Sequence, residues 1–377
     1  MSGAALDVWR RRFLPAFTFL SVVIGGGYAT GRELVQFFMP AGPLAGLLGM
    51  AVTAVAWSLV LALSLELARL TRSYDYRAFF RVLLGRGGFL FEIAFLALML
   101  VVLAVLGAAS GELAQDVFGG PPWAGTAGFL VLIALLAWLG TGAIEAFFSV
   151  WGLLLVAAYA LFFGVCLFAF GDDIRAALAA PAAPAVGWFR GGLTYAGYNI
   201  AIGPALLFCA RHQVRRRESL AAGALAGPVA ILPAAVFYVA LLAQYPEIMN
   251  APIPLQSLLH ALDRPWLTVG MQLAIYGTLV QTGIGILHGF NERLLGRRAD
   301  SAAASARGVR LAVSVALALA AMLLATRIGL IDLIAKGYGW LAWAIIAVDA
   351  VPLATVGVWK IFLQPAQQRE IREHALH

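Results

Sequence analysis

Long apolar runs separated by short polar stretches dominate this chain. About 20 mostly apolar residues are enough for a helix to cross a bilayer. Ten runs meet or approach that length: 13–39, 43–66, 89–114, 124–144, 146–170, 187–210, 219–244, 265–290, 310–326 and 330–360. The ninth is short and the tenth long. The pattern predicts an all-α integral membrane protein with ten transmembrane helices, forming a single domain over 1–377 with a C-terminal tail at 361–377.

The connections alternate in charge. One set holds Arg69, Arg72, Arg77, Arg81 and Arg86, then Arg211, Arg215, Arg216 and Arg217, then Arg293, Arg297, Arg298, Arg307 and Arg310. With Arg10, Arg11 and Arg12 at one terminus and Lys360, Arg369 and Arg372 at the other, it contains 20 of the 26 basic residues. The other set, including Ala41–Leu44 and the stretches near Asp116 and near Asp172 and Asp173, is almost free of Lys and Arg. The positive-inside rule then places both termini in the cytoplasm. That demands an even number of spans, which ten satisfies. The opening arginines followed by an apolar run imitate a signal peptide, but the run continues through glycine-rich sequence into Arg32 and Glu33, as a first spanning helix would.

Composition narrows the class further. Of 377 residues, 62% are hydrophobic and 12% charged, against about 25% charged in soluble domains. That excludes a soluble enzyme, a disordered protein and a nucleic-acid-binding protein. The net charge of +7 reflects topology signals. Cys166 and Cys209 both fall in apolar segments and read as buried small hydrophobes.

Ten spans divide into five and five, and an odd half enters the membrane in opposite orientation, the signature of an inverted repeat. The halves run from about 13 to 170 and from about 187 to 360. Span 1 contains Gly25-Gly26-Gly27-Tyr28-Ala29-Thr30-Gly31, and span 6 contains Gly191-Gly192-Leu193-Thr194-Tyr195-Ala196-Gly197-Tyr198-Asn199. Glycine weakens a helix by about 1 kcal/mol relative to alanine. Unwound backbone is tolerated at membrane depth only against protein or a water-filled cavity. Paired breaks in spans 1 and 6 therefore predict a central solute site, in which half-helix ends offer N–H groups to an anion and carbonyls to a cation. The alternative is that Gly27-Tyr28-Ala29-Thr30-Gly31, a GxxxG, merely packs helices.

The run Val22-Val23-Ile24-Gly25-Gly26-Gly27-Tyr28-Ala29-Thr30-Gly31-Arg32-Glu33-Leu34-Val35-Gln36-Phe37-Phe38 resembles the opening motif of the YkvI-like membrane proteins, and Lys336-Gly337-Tyr338-Gly339 resembles the same family. The resemblance implies membership of the amino acid–polyamine–organocation superfamily and a LeuT-type fold. In that fold spans 1 and 6 hold the substrate against spans 3 and 8. It implies a substrate site at Gly25, Gly26, Gly27, Tyr28, Ala29, Thr30, Tyr195, Gly197, Tyr198, Asn199 and Gln281. A sodium ion would lie against the carbonyls of Val22 and Gly25 and the hydroxyls of Thr278 and Thr282. The adjacent hydroxyl pair typical of sodium-coupled members is missing, since Gly283 follows Thr282, which leaves sodium and proton coupling both open. An outer gate is implied between Arg32 and Asp332, with a static pair of Arg32 to Glu33 or Glu112 as the alternative.

Ionisable groups inside spans are costly and point to function. Glu33 and Glu112 are the candidate proton-coupling acids, and Lys336 a candidate for neutralising either. Asp349 lies in the inner part of span 10. His288 near the end of span 8 reads as structural, and Glu66, Glu92 and Glu145 as paired or solvated.

No metal-ligand cluster, catalytic triad or phosphate-binding loop stands in the sequence, so no metal, no cofactor other than a coupling Na+ or H+, and no enzymatic activity is expected. The expected function is secondary active transport of an amino acid or related small organic solute by alternating access. The location is the bacterial inner membrane, and the partners are a small-molecule substrate and the lipid bilayer. An organic-cation transporter and a non-transporting ligand sensor remain alternatives. A channel lacks the continuous polar lining it would need.

Overall fold

A computed structural model describes residues 7–139, 141–180, 187–295 and 303–363. The tail from 364 onward, and with it Arg369 and Arg372, lies outside the described residues, as do Arg297 and Arg298. The chain is helical, and its helices are α1 Leu14–Val23, α2 Gly26–Thr30, α3 Arg32–Phe38, α4 Pro43–Thr71, α5 Tyr76–Leu84, α6 Gly88–Phe118, α7 Pro122–Leu139, α8 Thr141–Ala169, α9 Gly171–Ala179, α10 Trp188–Ile200, α11 Arg216–Leu241, α12 Pro254–Leu262, α13 Pro265–Leu295, α14 Ala303–Ile328 and α15 Leu330–Leu363.

Among the described residues six helical stretches are long and apolar enough to cross a membrane, and two sharply bent pairs raise this to eight. The bent pairs are α8 with α9 and α10 with the 3-10 segment Gly203–His212. Two of the ten expected spans fall outside that count: α1–α3, which is broken into short pieces, and α7, whose described apolar stretch, Pro122–Leu136, is shorter. The helices α5, α9 and α12 were not foreseen from hydropathy, which is blind to short helices in connections. The sequence does signal α5: Asp75 caps it, accepting from the Ala78 amide at 2.9 Å.

Apolar surface drives little association within lipid, so spans meet through small residues and interhelical hydrogen bonds. Two groups form in this way. In the first, α4 carries α10 and α11, and α1 packs on α11. A Cβ at Gly223 would fall 2.2 Å from the Ala62 amide nitrogen, and one at Gly227 2.0 Å from the Ala54 carbonyl oxygen, so these glycines set the spacing of α11 on α4. Thr53 Oγ1 donates to the Gly192 carbonyl at 2.8 Å, Trp57 Nε1 to Ala196 at 3.2 Å and Ser58 Oγ to Ala224 at 2.8 Å. In the second group α6, α7, α13 and α14 pack on one another. Its seam holds Gly107, Gly111 and Gly125, and Thr126 Oγ1 donates to the Gly107 carbonyl at 2.9 Å. The short helix α2 lies where the groups meet: it packs on α13 and α6 of the second, and its Tyr28 ring meets Phe237 of α11 in the first.

Candidate functional site

The first span breaks where its glycines stand. After α1, Ile24 leaves the helical region (φ −72°, ψ 79°) and Gly25 is extended. Five residues of α2 follow, and Gly31 then adopts φ +76°, a left-handed conformation that favours glycine. A Cβ at Gly31 would also fall 2.8 Å from Phe237 Cζ. Thr282 of α13 faces this break, because a Cβ built on Gly25 would lie 3.5 Å from Thr282 Oγ1. Gln281 sits beside it, half-buried. Thr278 is buried one turn away and donates to its own helix at Ala274, at 2.7 Å. Val22, at the end of α1, is exposed.

Tyr28 is the side chain of α2 with an unmet need. It is 3% exposed, its ring lies edge-on to Phe237, and its hydroxyl has no hydrogen-bond partner among the described residues. A buried hydroxyl left unpaired costs roughly 1–3 kcal/mol, and a bound solute or water removes that penalty. Tyr159 of α8 donates to the Ala29 carbonyl at 3.0 Å and packs on the same Phe237 ring, with centroids 6.3 Å apart. The Ala29 amide is used within the chain, donating to the Gly25 carbonyl at 3.1 Å. Thr30 Oγ1 accepts from the Arg32 amide at 3.2 Å.

The second break lies elsewhere than the glycines implied. Helix α10 runs unbroken through Gly191–Asn199, and the chain bends by 64° after Ile200, before Gly203–His212. Gly203 and Pro204 open the new segment, and Pro204 brings no N–H to continue the helix. The glycines serve packing. A Cβ on Gly191 would meet the Phe37 carbonyl at 2.1 Å, on Gly192 the Gly49 carbonyl at 2.3 Å, and on Gly197 the Ala342 carbonyl at 2.8 Å. Tyr195 is likewise an interior packing residue, against Phe38 and Trp57. Asn199 folds its amide back to the Tyr195 carbonyl at 2.9 Å.

Tyr198 joins the two broken spans. Its hydroxyl donates to Glu33 Oε2 at 2.5 Å, with both residues buried. Phe37, Tyr195 and Tyr338 pack on the Tyr198 ring, with centroids 5.8, 5.5 and 4.7 Å away. Glu33 is thus a carboxylate in an aromatic enclosure. A cavity of about 410 Å³ opens nearby between α3, α10 and α15; Gln36, Phe37, Arg190, Thr194, Lys336 and Trp340 are among its walls.

The two expected gate residues, Arg32 and Asp332, have other partners in this conformation. Arg32, 4% exposed, donates from Nη1 to the carbonyls of Met249 (2.7 Å) and Ala251 (3.0 Å), and from Nη2 to Gln36 at 2.9 Å. It forms no pair with Asp332, and Glu33 faces Tyr198 instead. Asp332 pairs with Lys336 at 3.1 Å on the exposed face of α15, an i,i+4 arrangement that also takes Lys336 away from Glu33 and Glu112. Glu112 is half-buried on α6. The segment that Arg32 holds, Glu247–Asn250 leading into α12, lies across α2, α3 and α8. At its far end Gln256 donates to Asp116 of α6, and His260 Nε2 is 3.3 Å from the same carboxylate. The sequence carried no sign of this strap, because backbone carbonyls accept Arg32 whatever residues supply them. At the opposite end of the molecule, Glu66 is buried against Arg69 (2.7 Å) and Ser219 (2.5 Å). Cys166 and Cys209 are free and buried.

Comparison with known proteins bears on the fold. No family model matches the chain. It is 23% identical over 285 residues, 74% of this chain and 80% of the relative, to the uncharacterized membrane protein YkvI of Bacillus subtilis. Its structure is similar to that of a Na+-coupled sialic acid symporter in a substrate-bound outward-open state, with TM-score 0.51 and 15% identity, covering 91% of this chain and 86% of that one. A manganese transporter of Eremococcus coleocola aligns at TM-score 0.43 and 13% identity, over 100% of this chain and 92% of that one. The chain is therefore a helical membrane protein similar in sequence to YkvI and in fold to the symporter.

Proposed function

We propose that the protein is a secondary active transporter that moves an amino acid or related small organic solute by alternating access, coupled to protons or sodium. The observation that carries this reading is the broken first span, wedged as α2 between two separately packed groups of helices and facing Thr282. The likeness of fold to a coupled symporter supports it. The ten spans would form a 5+5 inverted repeat of LeuT type in the bacterial inner membrane, with both termini cytoplasmic. The first group would rock against the second and expose the site to each side in turn. The solute's carboxylate would lie at Gly26–Tyr28, within reach of the Tyr28 hydroxyl, and its amine toward α10. Sodium would take the carbonyls of Val22 and Gly25 and the hydroxyl of Thr282. A cationic solute is the second reading, favoured by Glu33 in its aromatic enclosure, which suits ammonium groups.

The test is thermal stability of the purified protein against a panel of amino acids and amines, in sodium or in potassium. A ligand at 100 times its Kd adds about 2.7 kcal/mol, so a hit raises the midpoint measurably. Tyr28→Phe is expected to weaken an amino-acid hit about tenfold, and Thr282→Val to remove any sodium-dependent part while sparing the rest. Hits confined to amines would favour the cationic reading. Silence across the panel would count against both.

A further inference from the structure

Helix α15 holds a carboxylate that none of the roles above employs. Asp349 is 2% exposed, its Oδ1 has no hydrogen-bond partner, and it forms no ion pair among the described residues. Its turn, Ile346–Ala350, packs against α10 and α6.

The packing register locates it. Helices α10 and α15 run side by side in the same direction: Arg190 and Gly191 share a cavity wall with Ala335 and Lys336, and Gly197 further along touches Ala342 and Ile346. One turn beyond Ile346 is Asp349. One turn beyond Gly197 is Ala201, where α10 breaks. Asp349 therefore stands level with the second break.

No cation is committed to it. On α10 the titratable groups are Arg190, at the cavity mouth, Tyr195, packed in the interior, and Tyr198, bonded to Glu33. On α6 they are Glu92, close to Arg77, then Glu112 and Asp116 toward the other end. On α15 itself, Lys336 holds Asp332, Tyr338 packs on Tyr198, and Lys360 donates to the Val82 carbonyl at 2.6 Å. The next turn, Leu353–Gly357, meets α4 and α5. There Glu66 and Arg69 pair with each other, Arg77 bonds Tyr76, and Arg81 lies in the last turn of α5. A bare carboxylate at membrane depth is strongly disfavoured, so this group must bind a proton or a cation of its own.

We propose that Asp349 is a proton-binding site. The carboxyl is protonated in the conformation seen here, and it gives its proton to water when the break at Ala201–Ile202 becomes hydrated, leaving a solvated carboxylate. The place of that release in a transport cycle rests on the transporter reading; the protonation does not.

The test is infrared difference spectroscopy of the purified full-length protein in lipid nanodiscs at neutral pH, comparing wild type with Asp349→Asn and Glu33→Gln. The expected result is a protonated-carboxyl C=O band that is lost in Asp349→Asn and kept in Glu33→Gln. An identical band in wild type and Asp349→Asn would overturn the proposal. In parallel, the thermal midpoint is measured in sodium and in potassium chloride. Equal midpoints for wild type support a proton. A sodium-specific rise that disappears in Asp349→Asn would make the group a sodium ligand and overturn it. Should Asp349→Asn not fold, Asp349→Glu replaces it, with the band expected to shift in frequency; an unmoved band overturns the proposal. A band assigned to Asp349 in a protein that accumulates no solute would sink the transporter reading and leave the site standing.

Discussion

Arg32→Leu is expected to lower the thermal midpoint by about 6–11 °C. Three hydrogen bonds from a buried guanidinium are lost, each contributing roughly 1.5–3 kcal/mol when the donor is charged. The carbonyls of Met249 and Ala251 lose their shared donor, and the strap over α2 and α3 loses its anchor. Arg32→Lys should recover less than half of the loss, because an ammonium lacks the planar fork that reaches two carbonyls and Gln36 together. Asp332→Asn should leave the midpoint within about 1 °C, since an exposed i,i+4 pair is worth about 0–1 kcal/mol. Comparable losses in Arg32→Leu and Asp332→Asn would mean that the two side chains do act as a pair. The measurement is a thermal melt of each purified variant.

Gly227→Leu is expected to abolish folding. The new Cβ would lie 2.0 Å from the Ala54 carbonyl oxygen and 2.3 Å from Ser58 Oγ. The first of these is backbone, which cannot rotate away. Overpacking in ordinary cores costs about 1–3 kcal/mol, and here relief requires moving α11 bodily off α4, the contact on which the first helix group is built. Gly128→Leu is the control. Nothing lies within 4 Å of its Cβ position and the residue is exposed on α7, so it should express and melt like wild type. Yield of monodisperse protein by size exclusion reads both variants. Normal yield of Gly227→Leu would show that the α4–α11 seam is looser than its glycines imply.

Where sequence reading succeeded, the signal was local. A spanning helix needs a run of apolar residues and nothing from the rest of the chain. Hence α6, expected over 89–114, runs Gly88–Phe118, and α11, expected over 219–244, runs Arg216–Leu241. The first break was legible for the same reason: Gly31 needs a conformation that glycine adopts readily, and Gly25 stands at the other discontinuity. The second was misplaced because glycine has two uses. Gly191, Gly192 and Gly197 admit the neighbours Phe37, Gly49 and Ala342, and a sequence does not say who the neighbour is. The Asp332–Lys336 pair has the i,i+4 spacing that a helix brings together, but sequence reading assigns Asp332 to Arg32 and Lys336 to Glu33 or Glu112. Two of the three partners of Arg32 were not legible, being main-chain carbonyls more than 200 positions away. The orphaned oxygens of Tyr28 and Asp349 emerge only from the folded arrangement, since burial without a partner is a property of surroundings.

The most direct measurement is solute accumulation by sealed proteoliposomes holding the purified protein, with an inward proton or sodium gradient, for each solute that raises the thermal midpoint. Uptake above the equilibrium level that collapses when the gradient is dissipated, and falls about tenfold in Tyr28→Phe, is the predicted result. Binding of the same solutes with no accumulation under either gradient would contradict it and identify the protein as a sensor built on a transporter's fold.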